Sequence, residues 1–157
     1  MPKKNTTNNK PLATNKKAYS DYNILEKYEA GVKLTGAEVK SVKGGKINLK
    51  ASYVVIGSDL TPYIIGAHIA KYEQAGETQL EYDPTRSRIL LLNKKQIKSL
   101  YGKLKEKRLS LVPLSVYSKS GIIKFEIALA TGKKKFEKRD SIKKRDIERD
   151  VGRKLRR

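Results

Sequence analysis

The sequence contains no cysteine and no tryptophan, and it has a single histidine and a single methionine. Without cysteine the chain cannot form a disulfide, a thiolate metal site or a cysteine nucleophile, a composition compatible with the reducing cytosol. It also lacks an apolar run of about 18 residues and an apolar segment near its amino terminus, so we expect neither a membrane-spanning helix nor a secretory signal. We therefore predict a cytoplasmic protein with no membrane partner.

Catalysis requires a convergent group of side chains, and the sequence pattern does not offer one. His68 lies in a strand-like stretch, where a lone histidine is more often structural or an RNA contact than a catalytic base. The acidic residues are scattered, and Gly44-Gly45-Lys46 lacks the spacing of a phosphate-binding loop. We predict no enzyme, no cofactor and no metal site; a metal-dependent nuclease is the alternative from another class.

Positive charge is what the chain has in excess. It carries 36 lysines and arginines against 16 acidic residues, a formal net charge of +20. Residues 1–20 hold five lysines and no acid, and residues 132–157 hold 13 basic and five acidic residues, a local charge of +8. Two basic ends on a less basic body indicate a polyanionic partner, and nucleic acid is the one we expect.

The pattern divides the chain into three regions. Residues 1–17 show no periodicity and are predicted to form a disordered basic arm. Residues 18–131 carry the strand and helix signals of a folded RNA-binding domain. Residues 132–157 hold too little apolar surface to offset the entropy of ordering, yet their last apolar residues recur every four positions. We predict a tail that is disordered when free and helical on a polyanion, with a plain solubility tail as the alternative.

Short strands dominate the predicted body. Strand-like alternation covers Tyr19 to Leu34, with a bend or bulge at Ala30-Gly31, and Arg88 to Leu92 forms a short strand or helix lead-in. Residues 52–69 and 109–130 are each predicted to form a hairpin. Many short strands without a long βαβ pattern favour a mainly β fold with short helices, arranged as a small antiparallel barrel.

Two helix starts carry capping signals. Thr35 with Glu38 and Asn93 with Gln96 have the spacing of a capping box, in which each side chain satisfies a free amide at the helix amino terminus. Gly44-Gly45 is expected to end the first of these helices. For Glu38 and Asn93 the sequence alone therefore favours helix capping over a direct functional role.

Candidate RNA contacts come from basic residues interleaved with aromatics. Arg86 and Arg88 flank a predicted turn, Lys40 and Lys43 lie on the first helix, and Lys124 projects from the last strand. Each of these charges, taken singly, is better explained as an ordinary solvated surface charge.

Several long motifs also occur together and in order. They are Asp21–Val32, Leu34–Ser41, Gly45–Tyr53, His68–Gln74, Asp83–Lys94, Leu111–Tyr117 and Glu126–Arg139. The sequence resembles the SmpB family, the SsrA-binding (tmRNA-binding) proteins of bacteria, from about residue 15 to the end of the chain. The resemblance implies an oligonucleotide-binding-type barrel with two to three packed helices, and it implies no catalytic activity.

The resemblance also implies partners. The body would bind the tRNA-like domain of tmRNA and deliver it to stalled ribosomes in trans-translation. The tail would occupy the empty mRNA channel and decoding centre of the small subunit, against its rRNA. Elongation factor Tu is implied as a further member of the delivery complex, and the protein as a monomer. A structural ribosomal protein with a barrel and basic tails is the alternative.

Site residues follow from the matched motifs. Leu91 would be assigned to the core by pattern alone, but it matches a family position on the tmRNA-facing surface, as do Glu38, Asn93 and Lys124. Phe136 would stack on an rRNA base or close the barrel, and Glu137 replaces the commoner aspartate. The predicted tmRNA contacts are Glu38, Lys40, Lys43, Asn48, Tyr53, Arg86, Arg88, Leu91, Asn93 and Lys124. The predicted ribosome contacts are Gly132, Lys133, Lys134, Lys135, Phe136, Lys138, Arg139, Lys143, Lys144 and Arg145.

Overall fold

The computed structural model describes residues 10–74, 81–106 and 108–133. The strands in this part of the chain are β1 (Ala13–Thr14), β2 (Tyr22–Val32), β3 (Ile47–Asn48), β4 (Tyr53–Ile56), β5 (Pro62–Ile65), β6 (His68–Ile69), β7 (Arg88–Leu91), β8 (Leu109–Lys119) and β9 (Ile122–Gly132). The helices are α1 (Lys16–Asp21), α2 (Gly36–Lys43) and α3 (Lys94–Lys103).

Six strands pair in a closed ring. The order is β8-β4-β5-β7-β2-β9, β9 pairs again with β8, and every pairing is antiparallel. Strand β1 adds to the outside of β8, while β3 and β6 form a separate two-stranded sheet. The prediction of a mainly antiparallel β fold with short helices is confirmed.

The main core lies inside this ring. Alternate residues of β9 point inward, and Phe125 and Ile127 are fully buried there. Val42 of α2 and Leu100 of α3 are buried in the same cluster, so both helices pack against the ring. Burial of each such side chain contributes about 1.5–3 kcal/mol, which makes this cluster the main support of the fold.

The amino-terminal boundary differs from the prediction. Instead of a disordered arm through Lys17, β1 pairs with β8 and α1 begins at residue 16. Asn15 is the reason, because its Nδ2 donates to Pro113 O at 2.9 Å and its Oδ1 accepts from Ala18 N at 3.2 Å. Ala18 then buries a second small apolar cluster on the outer face of β8 and β9.

The hairpins also differ in detail. The predicted strand over residues 62–69 is two strands, because Gly66 has φ +81° and turns the chain from β5 into β6. A Cβ at Gly66 would lie 3.2 Å from Ala51 O. The irregularity in β2 falls between Ile24 and Glu26 rather than at Ala30-Gly31.

Both predicted capping boxes are present. Thr35 and Glu38 exchange hydrogen bonds at the start of α2, and Asn93 and Gln96 do so at the start of α3. Gly44 is the C-cap of α2, as predicted. These two helices are therefore positioned by short-range hydrogen bonds that the sequence already indicates.

Candidate nucleic-acid interface

Glu38 is the centre of a buried polar cluster. Its side chain is enclosed, and the whole residue is 1% exposed. Arg88 Nε donates to Glu38 Oε2 at 2.6 Å, and Arg86 donates to both carboxylate oxygens. Thr35 N donates to Oε1 at 3.0 Å, and the Tyr82 hydroxyl lies 3.1 Å from Oε2. One carboxylate thus ties α2 to the segment that precedes β7.

All N–H groups of the Arg88 guanidinium form hydrogen bonds within the protein. Nη1 donates to Ala67 O and to Arg86 O, and Nη2 donates to the Tyr82 hydroxyl and to Pro84 O, at 2.9 to 3.1 Å. With Nε on Glu38, all five N–H groups have partners. Arg88 is 1% exposed, so it has no donor left for a ligand.

The electrostatics of Glu38 follow from these contacts. Burial would raise the pKa of its carboxyl, but hydrogen bonds from Arg86, Thr35 N and Arg88 outweigh that effect and lower the pKa from 4.5 to about 2. Glu38 is therefore an anion at neutral pH, held between two cations. The predicted direct RNA contacts by Glu38 and Arg88 are corrected here: neither side chain reaches the surface, whereas Arg86 is partly exposed.

Three other predicted residues do meet at the surface. Gly31 of β2 pairs with Leu91 on one side and with Lys124 on the other, so the two side chains flank a glycine. Because residues in register share one face of a sheet, both lie on the outer face. Leu91 is 49% exposed, which agrees with the surface position predicted for it and not with the core position that the pattern alone would favour. We call Gly31, Leu91, Lys124 and the neighbouring Asn93 the Leu91 surface.

Asn93 extends the Leu91 surface to the start of α3. Its Oδ1 accepts from Gln96 N at 3.1 Å, and the residue is exposed. Asn93 can therefore cap α3 and also contact RNA. The free amides in the first turn of α3 lie beside this capping residue and can bind a phosphate.

A second group gathers around α2. Lys40 and Lys43 are exposed on this helix, and Lys40 Nζ lies 5.6 Å from the centre of the Tyr72 ring. Asn48 of β3 pairs with His68 of β6, and both are exposed. We call Lys40, Lys43, Asn48, His68 and Tyr72 the α2 surface. A hydrogen bond from the Ser41 hydroxyl to Ala70 O joins α2 to the end of β6 beneath it.

The remaining predicted contacts fall elsewhere. Tyr53, on β4, is 48% exposed and lines a groove. None of the residues that define the Leu91 surface or the α2 surface lines this groove. Gly132 pairs with Tyr22, and Lys133 N donates to Asp21 O at 2.8 Å, so the tail begins beside α1. The other predicted ribosome contacts lie outside the described residues: Lys134, Lys135, Phe136, Lys138, Arg139, Lys143, Lys144 and Arg145.

Two residues that shape these surfaces were not predicted from the sequence. Tyr82 was in no motif with an assigned role, although its hydroxyl touches both Glu38 and Arg88. Tyr117, which pairs with Lys124, donates to Glu29; this hydrogen bond lowers the pKa of Glu29 and keeps an anion near Lys124. The sequence signal that could have indicated the place of Tyr117 beside Lys124 is the spacing of these two residues across the predicted hairpin.

Metal-binding and membrane-spanning features are absent from the described part of the chain. Within residues 10–74, 81–106 and 108–133, no three His, Cys, Asp or Glu side chains are grouped so as to hold a metal ion. No helix in those same ranges has the length and apolar character needed to span a bilayer.

The fold and the two exposed surfaces define a class: a small, basic, antiparallel β protein of the RNA-binding type. The chain matches the family model described as SmpB protein over residues 12–157. It is 54% identical over 142 residues to the SsrA-binding protein of Sulfurihydrogenibium sp. (strain YO3AOP1), covering 90% of this chain and 91% of that one. Over 145 residues it is 49% identical to the SsrA-binding protein of Persephonella marina, covering 92% and 93%.

A solved structure, "tmRNA-SmpB: a journey to the center of the bacterial ribosome", contains a chain of the same fold. The two share 41% sequence identity with a TM-score of 0.66, over 80% of this chain and 87% of the other. The chain therefore belongs to the SmpB family, and the resemblance drawn from its motifs is confirmed. This is a family of RNA-binding adaptors and not of enzymes, which decides against the nuclease alternative.

Proposed function

We propose that this protein is the RNA-binding adaptor of trans-translation, which binds the tRNA-like domain of tmRNA and delivers it to stalled ribosomes. The observation that carries the proposal is the match of nearly the whole chain to SsrA-binding proteins, together with its likeness to a solved SmpB chain. The charge of +20 supports an RNA partner. These matches favour an adaptor over the alternative of a structural ribosomal protein.

The body supplies the first RNA contact. The Leu91 surface offers a cation, an exposed leucine and a helix amino terminus, and the α2 surface offers two lysines, an amide and an imidazole. Folded RNA hides its base edges in a deep groove, so phosphate, ribose and shape contacts carry most of such an interface. Arg86 joins the α2 surface at its edge, while Glu38 and Arg88 hold the segments behind it in place.

The finer architecture is part of the same proposal. The closed ring of six paired strands supports an oligonucleotide-binding-type barrel, with three helices packed around it. We propose one folded domain whose amino-terminal border lies near residue 12 instead of residue 18, because β1 and Asn15 belong to the packed body.

The tail supplies the second contact. Lys133 is tied to the body through Asp21 O and through Tyr19 O, which its Nζ approaches at 3.1 Å. Residues beyond it would bind small-subunit rRNA in the mRNA channel and decoding centre, with Phe136 stacking on a base. Two linked contacts give avidity on the ribosome. Elongation factor Tu, a monomeric state and a cytoplasmic location complete the proposal.

The test is a titration of the full chain with the tRNA-like domain at several salt concentrations. We expect log Kd to depend linearly on log salt, with a slope of roughly 0.7–0.9 for each phosphate that is neutralised. Lys124→Gln should reduce the slope by about one such unit. Lys98→Gln, at an exposed lysine of α3 outside both surfaces, is the matched control and should leave the slope unchanged. A flat salt response of the full chain contradicts the proposal.

A further inference from the structure

A groove of about 580 Å³ opens beside the ring, between α1, β4, α3 and β8. It lies where the ring has its shortest junction, since Val54 and Leu111 are the one pair in register between β4 and β8. Val54 and Leu111 also form part of the groove wall. Its volume is within the range of sites that hold a small organic group.

The groove has aromatic walls. Tyr53 on β4 is 48% exposed, and the structure shows no hydrogen bond for its hydroxyl within the described part of the chain. Tyr101, on α3, also lines the groove. Val55 adds an exposed apolar surface next to Tyr53. An exposed tyrosine ring such as that of Tyr53 can stack against a planar ligand.

The groove also has cationic edges on two elements. Lys17 of α1 and Lys105, just after α3, both line it and both are exposed. Lys105 Nζ lies 5.0 Å from the centre of the Tyr101 ring, so this cation is held beside an aromatic face. Asp21 is the acidic residue of the lining. Aromatic walls between lysines are the arrangement that binds single-stranded nucleotides, the base by stacking and the phosphates by charge.

We propose that this groove receives one unpaired nucleotide of the RNA bound by the body. Its base stacks on Tyr53 and Tyr101, and its flanking phosphates lie against Lys17 and Lys105. The inference rests on the proposed function and deepens it, since it names a pocket that takes an unpaired nucleotide in addition to the two exposed surfaces.

The chain's own tail is the competing occupant, because Lys133 N donates to the carbonyl of the groove residue Asp21. Residues 134–139 hold four basic side chains and one acid, so they would bring cations toward Lys17 and Lys105. Charge complementarity therefore favours an RNA phosphate over this peptide.

The experiment measures binding of the full chain to the tRNA-like domain. Tyr53→Ala should weaken binding by about 5- to 150-fold, the range expected for loss of one stacked base, whereas Tyr53→Phe should retain the wild-type affinity. Tyr19→Ala is the matched control, because Tyr19 is 37% exposed and does not line the groove. Equal affinities for Tyr53→Ala and Tyr19→Ala, with both variants folded by circular dichroism, would overturn the inference.

A second measurement identifies the occupant. Abasic sites are placed one at a time at the unpaired positions of the RNA. At one of these positions the abasic site should weaken binding of the wild-type protein. The same abasic site should not weaken binding of the Tyr53→Ala variant any further. Tyr53→Trp introduces the single tryptophan of the chain; its fluorescence should respond to RNA and not to removal of residues 134–157. A response to truncation without RNA would assign the groove to the tail and overturn the inference. Absence of wild-type RNA binding would instead overturn the proposed function itself.

Discussion

Glu38 shows how one buried side chain can hold in place the segments that lie behind an exposed surface. Its carboxylate accepts hydrogen bonds from Arg86, Arg88 and the Thr35 amide, and it is closed off from water. The desolvation free energy of a buried carboxylate is offset only while both of its cationic partners are present. Removal of its charge would leave the Arg88 guanidinium buried without an anion, and α2 would lose its tie to the segment before β7.

We expect Glu38→Gln to lower the free energy of unfolding by about 3–5 kcal/mol at neutral pH, the cost of breaking a buried ion pair. Urea unfolding measures this change. Glu106→Gln is the matched control, because Glu106 is exposed and forms no ion pair within the described residues. An unchanged midpoint for Glu38→Gln would show that the cluster contributes little to stability.

The same carboxylate predicts an acid-sensitive contribution to stability. Its pKa is about 2 in the folded chain and 4.5 in the reference state, so the unfolded chain takes up a proton first as the pH falls. The contribution of Glu38 is therefore fully present above about pH 4.5 and is lost progressively toward pH 2. Urea midpoints measured across this range should decline more steeply for the wild type than for Glu38→Gln. Parallel declines would contradict the assignment.

At the scale of elements, α3 combines a structural signal with a candidate contact. The Asn93 side chain caps α3, and the residue stands next to the exposed Leu91. Either role can explain why an amide occurs at this position. The two roles make different demands on the side chain: a cap needs an oxygen acceptor, whereas an RNA phosphate is repelled by a negative charge.

Asn93→Asp should therefore separate the roles. Aspartate is as good a cap as asparagine, so the melting temperature should stay near that of the wild type, while affinity for the tRNA-like domain should fall several-fold. Asn93→Ala should cost about 1 kcal/mol of stability through loss of the cap. If Asn93→Asp binds RNA as the wild type does at low salt, Asn93 acts as a cap and not as a contact.

The whole molecule joins a packed body to a basic extension at one defined point. Gly132 still pairs with Tyr22, and Lys133 still bonds to Asp21 O, so the body includes both residues. We propose that the tail contributes to function through a contact separate from the packing of the body.

Truncation after Lys133 tests this division. We expect the shortened protein to unfold at the same urea concentration as the full chain and to bind the tRNA-like domain with nearly the same Kd, while it no longer supports release of stalled ribosomes. The readouts are urea unfolding, RNA titration and a reconstituted rescue assay. Truncation after Thr131, which also removes Gly132 and Lys133, is the comparison and should lower stability. If the protein that ends at Lys133 is folded and yet fails to bind the RNA, the division is wrong.

Local signals explain what could be predicted. The capping boxes of Thr35 and Asn93 depend on side chains three residues apart, and the inward alternation of Phe125 and Ile127 depends on strand periodicity. Such patterns need no knowledge of the rest of the chain. The net charge and the matched motifs likewise led to the RNA-binding family from residue order alone.

Contacts between distant segments account for the errors. Asn15 orders the amino-terminal segment through Pro113, 98 residues away, and Arg88 is buried because Glu38, 50 residues away, supplies its anion. The exposure of Leu91 was expected from the matched family position and not from periodicity, because a run of leucines does not show which face of β7 lies outside the ring.

Composition and short-range order thus decided the fold class, the helix starts and the family of this protein. The closure of the strands into a ring decided which charged residues are internal supports and which remain at the surface. The physical reason is that burial depends on the neighbours that folding brings together, and those neighbours are far apart along the chain.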